Sequence, residues 1–154
     1  NGDAVGAGMN LALGCDLVVA GERARFSQIF ARRGLSLDFG GSWLLPRLVG
    51  LGRATELLMT GDFLDAAAAE RIGLYTRVVP QEQVVEEGRA WAVRLAAGPS
   101  FALEVTKKML YREGGMGLDA ALAAEVGIQS ICMQDPNFRE AYEAFRERRK
   151  PDFK

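Results

Sequence analysis

The chain has 154 residues, of which 49% are hydrophobic and 25% charged, and its 19 basic and 20 acidic side chains leave a net charge of −1. That is enough chain to bury a core without disulfide staples. The charge balance gives no electrostatic reason to bind nucleic acid or a membrane surface, and no apolar run approaches the length of a bilayer. Cys15 and Cys132 are far apart and lack metal-ligand spacing, so reduced thiols in a cytoplasmic protein are expected, with no metal site. There is no histidine. Ser-His-Asp and Cys-His catalysis and most catalytic zinc sites are therefore excluded. Carboxylate, lysine, tyrosine or cysteine is left for acid-base work.

The chain opens at Asn1-Gly2, without methionine, in a glycine-rich stretch, which suggests the C-terminal part of something longer. "NGDAVGAGMNLALGCD" sets Gly6, Ala7 and Gly8 just ahead of a short helix, Met9 to Leu13. Small residues let a ligand approach the backbone, and the first N–H groups of a helix lack intrahelical partners. The stretch can therefore hold an anion or a developing oxyanion, or it can simply allow tight packing. The apolar run Leu17 to Ala20 and the segment "ARFSQ" read as strands. Gly40 to Arg47 reads as a short helix with Pro46 near its end. Arg53 to Met59 and Ala66 to Ile72 read as helices closed by Gly61 and Gly73, and Val78-Val79 as a strand.

Pro80 divides the composition: residues 1 to 80 are glycine-rich and mixed, and residues 81 to 154 read as successive amphipathic helices. Val84, Trp91 and Leu95 share one face of residues 81 to 97. Ser100 is placed to cap a helix carrying Ala102, Val105 and Met109. Leu118, Ala121, Ala124, Ile128 and Ile131 repeat at helical spacing. Asp135-Pro136 forms a cap followed by proline at the first helical position.

"NGDAVGAGMNLALGCDLVVAGERARFSQ", "RGLSLDFGGSWLLPRLVGLGRATELLMTGDFLDAAAAERIGLYTRVVP" and the C-terminal "EAFRERRKPDFK" together resemble the enoyl-CoA hydratase/isomerase (crotonase) superfamily along essentially the whole chain. The resemblance implies an α/β spiral core, partial here and spanning residues 1 to 80, followed by a helical oligomerisation region, residues 81 to 154. It implies an acyl-CoA substrate, no cofactor beyond the coenzyme A carried by that substrate, and a homotrimer or hexamer. It also implies that an N-terminal portion supplies one oxyanion N–H and much of the CoA pocket. The second oxyanion donor maps to Ala7, flanked by Gly6 and Gly8.

The family's hydratases add water with two glutamates, and their positions fall on Asn10 and near Phe30, neither of which is a carboxylate. Asp38, in "GLSLDFGGSWLLPR", matches instead the aspartate of the isomerase branch, which acts on ring-epoxide phenylacetyl-CoA or 3-enoyl-CoA. Leu35, Leu37 and Phe39 are expected to desolvate Asp38 and so suit it to proton transfer. On the residues alone, a cap on the Gly40–Arg47 helix is the commoner use of such an aspartate; the resemblance turns the reading toward acid-base chemistry. That reading needs an Asp38 that is neither turned out to bulk solvent nor locked against amides. Phe39 and Trp43 are candidates for an acyl or ring pocket, with plain core packing as the alternative. Phe145 and Arg148 match positions that contact the adenine or phosphate end of CoA, and Arg32-Arg33 could attract the same phosphates. The alternatives are hydratase chemistry and a non-catalytic acyl-CoA-binding subunit.

Overall fold

The computed structural model describes residues 1–154 and divides into two compact units, Asn1–Arg89 and Ala90–Lys154. The first unit contains strands β1 (Ala4–Val5), β2 (Val19–Gly21), β3 (Arg25–Ser27), β4 (Leu64–Asp65) and β5 (Arg77–Val79). Its helices are α1 (Ala7–Leu13), α2 (Gly41–Val49), α3 (Leu51–Thr60) and α4 (Ala66–Arg71). β1 and β3 pair in parallel with Ala4 opposite Phe26, and β4 runs antiparallel to β3 with Leu64 opposite Phe26. β2 pairs in parallel with β5, Ala20 opposite Val78. Parallel strands cannot be joined by a tight turn. Accordingly α1 lies in sequence between β1 and β3, and α2 to α4 lie between β2 and β5.

The expected strand at Leu17 starts later. Val18 instead exchanges hydrogen bonds with Thr76, its N–H donating to Oγ1 at 3.0 Å and its carbonyl accepting from the Thr76 N–H at 2.8 Å. β1 and β4, two residues each, were too short to leave a period in the sequence. The core draws on Met9 and Leu13 of α1, Ala20 of β2, Phe26 of β3, Leu45 of α2, Ala54 and Leu57 of α3, Ala66 and Ala69 of α4, and Leu74 in the turn after α4. Full burial of Met9, Phe26 and Leu45 contributes about 1.5–3 kcal/mol each. Gly61, at φ 61°, ends α3 in the left-handed region and returns its N–H to the Leu57 carbonyl.

Helix α5 (Val84–Ala96) begins in the first unit and ends in the second. The second unit continues with α6 (Ser100–Glu113), α7 (Leu118–Cys132) and α8 (Pro136–Glu147). Ser100 does not cap α6. It is the first helical residue, and the cap position falls to Pro99, which has no side-chain acceptor. Asp135 does cap α8, accepting from the Asn137 N–H at 2.8 Å with Pro136 at the first helical position. The stripe on α7 is only partly covered: Ala121, Ala124 and Ile128 are half-buried, while Leu118 and Ile131 are exposed.

After α8 the tail turns back along the helix. The Arg149 guanidinium grips the Glu140 carboxylate in a bidentate pair, Nη2 to Oε2 at 3.0 Å, and the Asp152 N–H donates to Glu140 Oε1 at 2.8 Å. Asn137 and Lys154 exchange two further bonds, of 3.0 and 2.9 Å. The Arg149 bonds and the Asp152 amide hold the Glu140 carboxyl down at about 2.

Candidate active site

Gly6 turns the chain from β1 into α1 with φ 56° and ψ −128°, a backbone that side chains rarely adopt. Its N–H donates to the Ser27 carbonyl at 2.9 Å, and a Cβ placed on it would lie 3.5 Å from the Phe30 ring. Ala7 is the first residue of α1, and both Ala7 and Gly8 are exposed. The N–H groups of a first helical turn have no acceptor within the helix. Ala7 and Gly8 therefore present main-chain donors at the surface, while the Gly6 N–H is taken by Ser27.

Asn10 and Phe30, on and near which the resemblance places the two hydratase glutamates, are both buried: Asn10 is 1% exposed and Phe30 8%. Both ends of the Asn10 amide are hydrogen-bonded. Its Nδ2 donates to the Asp38 carbonyl at 2.9 Å, and its Oδ1 accepts from Gln28 Nε2 at 2.5 Å. Gln28 is also buried, and its Oε1 has no hydrogen-bond partner. Neither Gln28 nor Gly41 stood out in the sequence. A Cβ on Gly41 would sit 2.6 Å from Asn10 Nδ2, so the missing side chain makes room for the amide.

Asp38 begins a tight turn into α2. Its carbonyl accepts from the Gly41 N–H at 3.0 Å, with Phe39 at φ 51° and Gly40 at φ 78°, the positive pair of a type I′ turn. The Asp38 side chain does not cap α2, whose cap residue is Gly40 without a side-chain bond. The expected desolvation is not found within these residues: Asp38 is exposed, and Leu35 and Phe39 are 62% and 63% exposed. Residues 34–40 carry no helix or strand beyond the turn, so no element folds those side chains inward. Only Leu37 is half-buried. Trp43 is also partly exposed, and its ring carries the Arg47 guanidinium at 3.9 Å.

Gly6, Ala7, Gly8, Asp38, Phe39 and Trp43 thus belong to the first unit, where Asn10 links the α1 segment to the Asp38 turn. Phe145 and Arg148 belong to the second unit. Phe145 is 83% exposed, and Arg148 ends α8 in the left-handed region at φ 56°. Arg32 is engaged by the Thr60 carbonyl and the Asp62 carboxylate. A groove of about 720 Å³ between α6, α7 and α8, lined by Val105, Met109, Ile128 and Phe138, includes neither Phe145 nor Arg148.

Residues 1–154 match the enoyl-CoA hydratase/isomerase family throughout. The chain is 42% identical over 153 residues to a Rhodobacter capsulatus protein named "Probable enoyl-CoA hydratase", covering 99% of this chain and 60% of that one. It is 37% identical to the 1,2-epoxyphenylacetyl-CoA isomerase of Escherichia coli, covering 99% and 58%. The crystal structure of an enoyl-CoA hydratase/isomerase from Cupriavidus metallidurans superposes with a TM-score of 0.93 at 37% identity, covering 99% of this chain and 58% of that one. The chain thus spans about 60% of the length of the relatives it matches. Its two small sheets, one mixed and one parallel, with intervening helices, and the helices that follow, form a crotonase-like fold; the chain belongs to the enoyl-CoA hydratase/isomerase family.

Proposed function

We propose that the whole protein moves the double bond of an enoyl-CoA through an enolate, with Asp38 as the acid-base group. What carries this reading is the lack of a carboxylate at Asn10 and near Phe30, where the resemblance places the hydratase pair and where a bonded amide and a buried ring stand. Neither can accept and return a proton as a carboxylate does, so the usual pair for water addition is missing. Isomerisation needs only one mobile carboxylate. Asp38 removes a proton from C2 of the thioester, and the electron pair passes to the thioester oxygen, where the Ala7 N–H helps hold the negative charge. Asp38 then returns the proton at C4, and the double bond lies between C2 and C3. No electrons leave the substrate, so the step requires no redox cofactor.

Asp38 is open to solvent among these residues, which fails the condition set for it from the sequence; the acid-base role therefore rests on cover supplied by the bound substrate or by the rest of the whole protein. An acyl chain lying across Leu35, Phe39 and Trp43 would provide part of it, since a bound apolar group excludes water and strengthens the electrostatics beneath it. Phe145 and Arg148 are proposed to meet the adenine and phosphate end of CoA. The two free thiols, Cys15 and Cys132, fit a reducing compartment such as the cytoplasm.

The test incubates the full protein separately with 3-enoyl-CoA and 2-enoyl-CoA and follows double-bond migration against water addition. Migration should dominate, and Asp38→Asn should slow it by about 10²–10⁴-fold, the usual range for a positioned acid-base group. Rapid hydration with little migration would overturn the assignment. CoA binding without turnover in either protein would point to a binding subunit instead.

A further inference from the structure

The Asp38 turn is held in an unfavourable backbone form. Phe39 lies at φ 51°, a region where a Cβ crowds the following carbonyl. The Asp38 carbonyl is fixed from two sides, by the Gly41 N–H at the end of the turn and by Asn10 Nδ2 from α1. A carbonyl can only accept, so the amide nitrogen of Asn10 must face it and Oδ1 must face Gln28. The same logic turns Gln28 Nε2 toward Asn10 and leaves Gln28 Oε1 buried without a partner. A buried orphan acceptor is unfavourable for folding. Gly41 completes the arrangement, because a Cβ there would sit 2.6 Å from the Asn10 nitrogen.

We infer that Asn10 is a positioning residue for Asp38: its buried amide ties the main chain of the acid to the helix that begins at Ala7. The two catalytic groups then share one rigid frame. Asn10 is three residues along α1 from Ala7, and its N–H donates to the Gly6 carbonyl at 3.1 Å. Any movement of the Asp38 turn relative to the Ala7 N–H must stretch or break the Asn10 bond. A proton shuttle between C2 and C4 depends on that separation, because the carboxylate must reach both carbons while the thioester oxygen stays on its donor. Asn10 therefore stands where a hydratase keeps a carboxylate and serves a different catalyst. This inference rests on the assignment of Asp38 above.

A double-mutant cycle on the full protein tests it, with 3-enoyl-CoA as substrate and Asn10→Ala, Asp38→Asn and the pair compared. Asn10→Ala should lower kcat on the order of 10- to 100-fold, the penalty for a catalytic group misplaced by about an ångström, and leave KM unchanged. In the Asp38→Asn background it should cost nothing more, because its effect passes through Asp38. A merely structural Asn10 would show additive losses, or a KM increase with kcat intact, and either would overturn the inference. Gly41→Ala supplies a second route: its methyl group displaces the Asn10 amide and should reproduce the kcat loss. If both Asn10→Ala and Gly41→Ala fail to fold, or if a folded variant keeps its full kcat, the positioning role is lost. An active Asp38→Asn protein would instead defeat the assignment of Asp38 itself.

Discussion

At the residue scale, the Gly6-Ala7-Gly8 turn and the Asp38 turn illustrate two uses of positive φ. Gly6 needs glycine because its backbone, at φ 56° and ψ −128°, lies where side chains are strained. Gly6→Ala should destabilise the protein by about 1–3 kcal/mol through its strained backbone, read as a lower urea midpoint; the added Cβ would meet the Phe30 ring only at an ordinary 3.5 Å. Phe39 shows the opposite case, a bulky side chain kept at φ 51° by a turn pinned at both ends. The motif around Asp38 was legible in the sequence, but its surroundings were not. Apolar neighbours in sequence predicted a buried acid, whereas Leu35 and Phe39 face outward. Nearness along a loop says nothing about which side chains converge. Asn10 was noticed only as a missing glutamate, because the partners that give it a role, Gln28 and the Asp38 carbonyl, are 18 and 28 residues away.

At the element scale, caps separate real helix starts from apparent ones. Asp135 and Ser100 looked equivalent in sequence, each a capping residue ahead of an apolar stripe. Only Asp135 makes its bond, to the Asn137 N–H. Asp135→Ala should therefore cost about 0.5–2 kcal/mol, whereas Ser100→Ala should leave stability within about 0.5 kcal/mol of the parent, the usual range for a surface change. Denaturant titration of the two variants checks the contrast. Helices were read better than strands for a physical reason. Ten to fifteen residues give a 3.6-residue period room to repeat, as in α3, α6 and α7, while two-residue strands such as β1 and β4 show no period at all. Those strands exist because distant backbones, Ala4 beside Phe26 and Leu64 beside Phe26, satisfy one another.

At the scale of the whole molecule, the second unit makes two further predictions. Glu140 has its carboxyl lowered from 4.5 to about 2 by Arg149 and the Asp152 amide. A folded-state value below the unfolded one stabilises the tail above about pH 4.5, and that support is lost as the pH falls from there toward 2. Proteolysis of the C-terminal tail should accelerate over that window in the parent. Glu140→Gln should show the faster cleavage already at neutral pH. Leu118, Leu122 and Val126, at four-residue spacing on α7, and Phe138 on α8 are exposed, and such apolar side chains are candidates for the self-association that the family resemblance implies. Sedimentation of the full protein is expected to give a trimer or hexamer, and a monomer at all concentrations would rule this out.

The sequence by itself determined the family, through separated motifs in order, and showed that these 154 residues contribute no imidazole. It also determined most helices, because their periodicity is written in neighbouring residues. Only the tertiary structure decided that Asp38 is exposed and uncapped, that β1 and β4 form, and that Asn10 binds the Asp38 main chain. Each of these depends on groups remote in sequence arriving at hydrogen-bond or packing distance, and no local pattern encodes that meeting.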